Sequence, residues 1–238
     1  MSINVGFASG KGKTIMDENL ELVAKIISIE WEMFASVNEG KERASCQEDP
    51  EMFAGMRRAQ FNAWPPGVLS SYLDDLESAK KAGRNLIEEK YIHMMATTEP
   101  SQHKALLARV IPPSEAVSCI ARDISYKMLE QMRLLSEEFQ FVTGFGRPLY
   151  STHDYLDTSI ETYQLGELLT YSEKTLKALQ EHIIALENKG ESLAHSILEN
   201  TVKYYGYDSL AEADAAARRM SLDLTIQVSP GCACEATI

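Results

Sequence analysis

The chain has 238 residues, 45% of them hydrophobic and 24% charged, which is long enough to bury a core and ordinary for a globular protein. Its formal net charge of −12 argues against nucleic acid and anionic membrane surfaces as partners. No stretch approaches the roughly 18 apolar residues of a membrane span, and the N-terminal sequence lacks the long apolar core of a signal peptide.

The predicted elements start with a flexible arm over residues 1–16, which has strand character at residues 3–8. Asp17 can cap the first helix, Pro65 and Pro66 end the second, and Ser114 opens the fifth. Helices are predicted over residues 17–38, 50–63, 68–95, 101–110, 114–142, 157–188, 191–205 and 209–220. Residues 221–238 lose the helical pattern and are predicted to form a strand over residues 222–228 and then a tail.

Four of the predicted helices are long, and with their shorter companions they predict an all-α fold, a multi-helix bundle. We expect a flexible N-terminal arm over residues 1–16, a single helical domain over residues 17–220 and a C-terminal tail over residues 221–238. Four cysteines lie mostly far apart in the sequence, which does not indicate a disulfide framework and favours a reducing, cytoplasmic location.

A faint internal repeat accompanies the helical pattern. Two segments 107 residues apart share their apolar and glycine positions, Leu76-x6-Gly83-x2-Leu86 and Ile183-x6-Gly190-x2-Leu193. The same offset places Trp64 opposite Tyr171. Duplication of a helical unit explains the match, and so does chance similarity between amphipathic helices.

Polar side chains interrupt helix faces that should otherwise be buried. In the first helix Glu30 lies inside a wide apolar arc, whereas Glu32 points away from it. Lys90 lies near the centre of the arc of the third predicted helix. Later helices add further inward polar positions, namely Lys127, Gln131, Glu161, Thr162 and Ser172. Because a buried charge is costly unless it is paired or functional, Glu30 and Lys90 are predicted to form a charge pair.

Three local motifs are suggestive of known sites, but none identifies a reaction. Gly6 to Thr14 resembles a phosphate-binding loop, but five residues instead of four separate Gly6 from Gly12 and no strand–helix alternation follows. A di-metal bundle needs Glu-x-x-His, in which the histidine follows the glutamate by three residues. Here the histidine follows by four residues, in the pairs that begin at Glu89 and Glu191, so solvated histidines are favoured. Cys232-Ala-Cys234 supplies only two thiols in a tail. We therefore predict no metal and no cofactor.

Cys46 is a candidate nucleophile because Lys41 and Arg43 lie close to it in the sequence. Nearby cations lower the pKa of a thiol and favour the reactive thiolate. An unreactive, partly buried cysteine is the alternative interpretation, and the sequence leaves both open.

Several blocks of this sequence resemble the bacterial family catalogued as domain of unknown function 4125. The similarity runs over about residues 29–211. The blocks that carry it include Ile29-Glu-Trp-Glu-Met-Phe34, Arg43-Ala-Ser-Cys-Gln47, Gly83-Arg-Asn-Leu86, Gly166-Glu-Leu-Leu-Thr-Tyr-Ser172 and Ile197-Leu-Glu-Asn-Thr-Val-Lys203. The resemblance implies a helical domain without an assigned activity, and it associates that domain with a nucleotidyltransferase-like partner.

Two hypotheses of function follow. The first is an inward polar pocket for an anionic or zwitterionic small molecule; in the enzymatic version of this hypothesis Glu30 or Lys90 acts as acid or base. Its candidate residues are Glu30, Arg43, Cys46, Arg57, Gln60, Lys90, Tyr91 and Glu161. The second is a non-catalytic helical adaptor or accessory subunit for a partner protein, in which the inward polar groups are structural.

Overall fold

The computed structural model describes residues 15–37, 45–144 and 146–228. This part of the chain contains eleven α-helices and no strand, which confirms the all-α fold. The helices are α1 (Ile15–Ala35), α2 (Pro50–Phe61), α3 (Pro66–Lys81), α4 (Leu86–Thr98), α5 (Pro100–Leu106), α6 (Glu115–Glu138), α7 (Gln140–Gly144), α8 (Ile160–Leu168), α9 (Glu173–Glu187), α10 (Leu193–Tyr204) and α11 (Leu210–Val228). None of them is both long enough and apolar enough to cross a membrane.

Side-chain caps explain where most of these helices begin. Asp49, Asn85, Ser114, Ser159, Ser172 and Ser192 each accept a hydrogen bond from a backbone N–H in the first turn of the helix that follows. Such bonds satisfy amides that have no partner within the helix. Proline occupies the first turn of α2, α3 and α5, where its missing N–H costs nothing.

The predicted helix over residues 68–95 is wrong in one respect, because it is two helices. Gly83, at φ +69°, ends α3. Its N–H donates to Lys80 O at 3.1 Å, and the Arg84 N–H donates to Ala79 O at 2.9 Å. These two hydrogen bonds form a Schellman turn, in which the glycine has a positive φ that residues with a Cβ adopt only with strain. Asn85 then caps α4.

The predicted helix over residues 157–188 is also two helices. It breaks between Leu168 and Glu173, where Ser172 accepts a hydrogen bond from the Thr175 N–H and starts α9. The strand predicted over residues 222–228 is wrong, because α11 continues to Val228. Residues 3–8 lie outside the described residues, and the division into arm, domain and tail stays a prediction.

The internal repeat is a feature of the helices themselves. Helices α3 and α9 begin at Pro66 and Glu173, α4 and α10 begin at Leu86 and Leu193, and α2 and α8 end at Phe61 and Leu168; each difference is 107 residues. The turn at Gly190 (φ +74°) repeats the two hydrogen bonds of the turn at Gly83. We call α1–α4 the first unit, and α6 with α8–α10 the second unit.

The packing of the two units is also repeated. Helix α1 packs on α2, α3 and α4, and α6 packs on α8, α9 and α10. Between the units, α4 packs on α8 and α10 packs on α2, while α3 packs on its counterpart α9. Equivalent residues even contact one another: the rings of Trp64 and Tyr171 lie 6.1 Å apart, and Gln60 Nε2 donates to Glu167 Oε1 at 3.0 Å. Contacts between equivalents are what an approximate two-fold axis produces.

Candidate functional site

A buried group of charged and polar side chains lies where the two units meet. We call it the ionic cluster, and its members are Glu30 from α1, Arg57 and Gln60 from α2, Tyr72 from α3, Lys90 from α4, Glu167 from α8 and Tyr171 from the turn after α8. All of these residues are buried except Gln60, which is half-buried, and Glu30 is completely inaccessible.

Helical spacing and aromatic packing set the positions of the cluster side chains. Arg57 and Gln60 lie one turn apart on α2, so Arg57 Nη1 donates to Gln60 Oε1 at 2.8 Å. The Arg57 guanidinium also lies 4.6 Å from the ring centroid of the buried Phe61. Tyr72 and Tyr171 pack against each other, with ring centroids 4.6 Å apart, and their hydroxyl groups point to different carboxylates.

Glu30 is held by a two-point contact with Arg57. Arg57 Nε donates to Glu30 Oε2 at 2.7 Å, and Arg57 Nη2 donates to Glu30 Oε1 at 2.5 Å. The Tyr72 hydroxyl donates to the same Oε1 at 2.7 Å. Hydrogen bonds between a guanidinium and a carboxylate are roughly twice as strong as those between neutral groups, and two of them compensate the burial of the Glu30 charge.

Glu167 accepts hydrogen bonds from more residues than any other cluster member. Arg57 Nη1 and Nη2 donate to its two oxygens at 3.2 and 3.0 Å, and Lys90 Nζ donates to Oε2 at 2.6 Å. The Tyr171 hydroxyl and the Gln60 amide donate to Oε1 at 2.6 and 3.0 Å. A carboxylate offers about four lone-pair sites, so these five bonds leave Glu167 no acceptor capacity for a further ligand.

Lys90 has a second contact besides Glu167. Its ammonium nitrogen lies 3.5 Å from the ring centroid of Tyr163. A buried cation over an aromatic face is attracted by the negative charge density of the ring. Two carboxylates, one guanidinium and one ammonium give the cluster no net formal charge.

The protonation states follow from these contacts. Burial alone would raise the pKa of the Glu167 carboxyl, but the charges of Arg57 and Lys90 and their hydrogen bonds hold that pKa well below its ordinary value. Burial, together with the charges of the neighbouring carboxylates, raises the pKa of the Tyr72 and Tyr171 hydroxyls well above their ordinary range. Glu167 is therefore an anion and both tyrosines are neutral donors throughout the physiological pH range.

The structure brings together four of the eight predicted site residues. Glu30, Arg57, Gln60 and Lys90 belong to the ionic cluster, but Glu30 pairs with Arg57 and Lys90 pairs with Glu167. The predicted direct pair between Glu30 and Lys90 is wrong, because Arg57 and Glu167 lie between them.

The other four predicted residues lie elsewhere or beyond description. Tyr91 is half-buried and packs against the core. Glu161 accepts a hydrogen bond from the Ser151 N–H at 2.7 Å and belongs to no cluster contact. Arg43 lies outside the described residues. Cys46 lies in a short 3-10 turn over Ser45–Glu48, and only its backbone is described.

Sequence reasoning missed Glu167, Tyr72 and Tyr171. The predicted unbroken helix over residues 157–188 assigned no inward position to Glu167. Two signals could have corrected this: the Ser172-x2-Thr175 spacing marks a helix start, and the 107-residue offset pairs Glu167 with Gln60.

No group of three or more His, Cys, Asp and Glu side chains that could hold a metal occurs among the residues that the structure describes. Of the two Glu-x3-His pairs, Glu89 is committed to Arg84, whose Nε and Nη2 donate to it at 2.8 and 2.6 Å. His195 Nδ1 lies 3.7 Å from Glu199, one turn further along α10.

The chain is therefore an all-α protein in which a hydrogen-bonded ionic cluster lies between two similar units. The chain is a member of the family described as protein of unknown function (DUF4125), whose model matches residues 20–215. That range covers every member of the ionic cluster and both units except the first five residues of α1. No curated protein and no solved structure gives a significant match.

Proposed function

We propose that this chain is a non-catalytic binding protein, in which the ionic cluster joins the two units and performs no chemistry. The observation that carries the proposal is the saturation of Glu167 by donors from Arg57, Lys90, Gln60 and Tyr171. A general acid or base needs a free proton site within reach of a substrate. A carboxylate that is held ionised and fully bonded offers none.

This proposal selects the non-catalytic one of the two functions that the sequence suggests. An enzymatic pocket around Glu30 and Lys90 would require the ligand to replace strong contacts between buried charges, which costs several kcal/mol. An accessory role beside a nucleotidyltransferase-like partner, and a cytoplasmic location, stay predictions from the sequence and the family resemblance.

The test begins with Lys90→Met, which removes one counter-charge of Glu167. We expect the free energy of unfolding to fall by about 3 kcal/mol, because breaking a buried ion pair leaves a charge undercompensated. The matched control is Lys174→Met, which removes an exposed ion pair with Asp74 (3.0 Å). Exposed pairs contribute at most about 1 kcal/mol. Urea unfolding followed by circular dichroism measures both.

The second step separates structure from ligand binding. A thermal-shift panel of metabolites, nucleotides and divalent metals is run on the wild type, Lys90→Met and Lys174→Met, because a ligand that binds only the folded state raises its melting temperature. We expect every ligand shift found for the wild type to persist in both variants. A ligand shift that is lost in Lys90→Met and kept in Lys174→Met would show that the cluster itself is the binding site, and it would refute the proposal.

A further inference from the structure

An open cleft lies where α7 and the segment after it meet the second unit, and none of its lining residues is a member of the ionic cluster. Its volume is about 430 Å³, within the usual range of roughly 300–1,000 Å³ for small-molecule sites. It is lined by α6, α7, residues 146–149 and the first residue of α8, through Met132, Ser136, Gln140, Thr143, Gly144, Gly146, Arg147, Pro148, Leu149 and Ile160.

Among the described residues that line the cleft, Arg147 is the only charged one. Its Nη1 donates to Asp157 Oδ1 and to Thr158 O, both at 3.0 Å, which fixes the guanidinium in place. The Nε and Nη2 atoms of Arg147 make no hydrogen bond to the described part of the chain. These two N–H groups form the parallel edge that binds a carboxylate or a phosphate with two hydrogen bonds.

The surrounding charges favour a single negative charge on the ligand. Arg147 supplies one positive charge, and the exposed carboxylate of Asp157 lies against it. A dianion would exceed what Arg147 neutralises and would be repelled by Asp157. The apolar side chains of Met132, Leu149 and Ile160 can cover an apolar body. A small monocarboxylate with an apolar chain matches both features.

The first unit carries an aromatic residue at the position that corresponds to Ile160. Phe53 lies 107 residues before Ile160, the offset that relates the two units, and it is the fourth residue of α2, whereas Ile160 is the first residue of α8. Its ring stacks on Phe34 at 5.1 Å and packs on Trp31 at 5.4 Å, both from α1. Aromatic side chains therefore pack between α1 and α2, whereas the smaller Ile160 lines the cleft.

We propose that this cleft binds a small monocarboxylate whose carboxylate is held by Arg147 Nε and Nη2 and whose apolar part lies against Met132, Leu149 and Ile160. The proposal rests on the binding role proposed above and names the class of ligand. Neither Arg147 nor Ile160 belongs to the ionic cluster, so a failure here leaves the structural role of the cluster intact.

The test measures dissociation constants by isothermal titration calorimetry at constant ionic strength. The probes are hexanoate, octanoate and phenylacetate, with hexanamide as the uncharged counterpart and inorganic phosphate as the alternative anion. We expect saturable binding of at least one carboxylate to the wild type and much weaker binding of hexanamide and phosphate. Absence of carboxylate binding, or phosphate binding that is equally tight, would overturn the proposal.

Two variants locate the site. Arg147→Met is expected to weaken carboxylate binding on the order of tenfold or more, because it removes two charge-assisted hydrogen bonds. Arg122→Met is the matched control, since Arg122 is exposed on α6 and does not line the cleft. Ile160→Phe keeps every charge but adds an aromatic ring to the lining of the cleft, and it should abolish binding while the protein stays folded. Unchanged affinity in Arg147→Met or in Ile160→Phe would refute the assignment.

Discussion

Glu167 shows how one side chain can depend on residues from distant parts of the sequence. Its donors come from α2, α4 and the turn after α8. Each charged contact lowers the free energy of the ionised carboxylate relative to the protonated one, and together they outweigh the desolvation cost. The stability of the fold is therefore linked to the protonation of this group.

A pH dependence of stability follows from the depressed pKa of Glu167. A carboxyl whose folded-state pKa lies below its unfolded value, about 4.3, stabilises the fold fully above that value and loses this contribution as pH falls through the folded-state pKa. In Glu167→Gln this contribution is absent. We expect the difference in unfolding free energy between wild type and Glu167→Gln to shrink steadily as the pH is lowered below about 4.3.

Urea unfolding across a pH series measures this difference. Glu173→Gln is the matched control, because it makes the same chemical change at an exposed position of α9. Its difference from the wild type should stay small over the same range. A wild-type advantage over Glu167→Gln that is constant with pH would contradict the role given to Glu167.

For single residues, the sequence predicts part of the candidate site. The helical periodicity of α1 is unbroken, so Glu30 is correctly predicted to be buried. The partner of Glu30 is not predicted, because Arg57 lies on another helix and nothing in the local pattern of α2 specifies which helix it faces. Long-range pairing depends on how the helices pack, and periodicity does not report packing partners.

At the scale of helices, the sequence predicts where helices occur better than where they break. The break at Gly83 and the break before Glu173 both leave the spacing of apolar residues almost continuous. Helical periodicity alone therefore predicts one continuous helix across each break. The signals that mark the breaks are single residues, a glycine at positive φ and the serine cap at Ser172. The break at Gly83 separates α3, which packs on α9, from α4, which packs on α8. The break before Glu173 in the same way separates α8, which packs on α4, from α9, which packs on α3.

The close packing of α8 on α4 depends on Gly166. A Cβ at this position would lie 3.0 Å from the backbone oxygen of Lys90 and 2.7 Å from Met94 Cγ. The backbone of α4 cannot move away without changing the position of the Lys90 side chain. We expect Gly166→Ala to lower the free energy of unfolding by about 1–3 kcal/mol, a fall in melting temperature of roughly 2–4 °C per kcal/mol for a domain of this size.

Gly67→Ala provides the control for Gly166→Ala in differential scanning calorimetry. Gly67 lies in the first turn of α3, and a Cβ there would meet no atom within 4 Å. Alanine should be neutral or slightly stabilising at that position, because it reduces the freedom of the unfolded chain. A melting temperature for Gly166→Ala equal to that of the wild type would show that α4 and α8 are not held at this distance.

At the scale of the whole molecule, neither unit can balance the charges of the ionic cluster alone. The first unit contributes Glu30, Arg57 and Lys90, which leaves one positive charge in excess, and the second contributes the single negative charge of Glu167. Separating the units would leave buried charge uncompensated on both sides, which costs several kcal/mol. The packing of α3 on α9, which includes a hydrogen bond of 2.8 Å between the hydroxyl groups of Ser71 and Thr175, joins the same two units.

We therefore expect the two units to unfold together. Hydrogen–deuterium exchange at increasing urea should show the backbone amides of α3 and α9 exchanging through one opening reaction, with the same free energy and the same dependence on urea. Lys90→Met changes a side chain of the first unit only, yet it should lower the exchange free energy of α9 as much as that of α3, because its partner Glu167 lies in the second unit. If the variant affected α3 alone, or if calorimetry resolved two transitions, the units would be independent and the cluster would not join them.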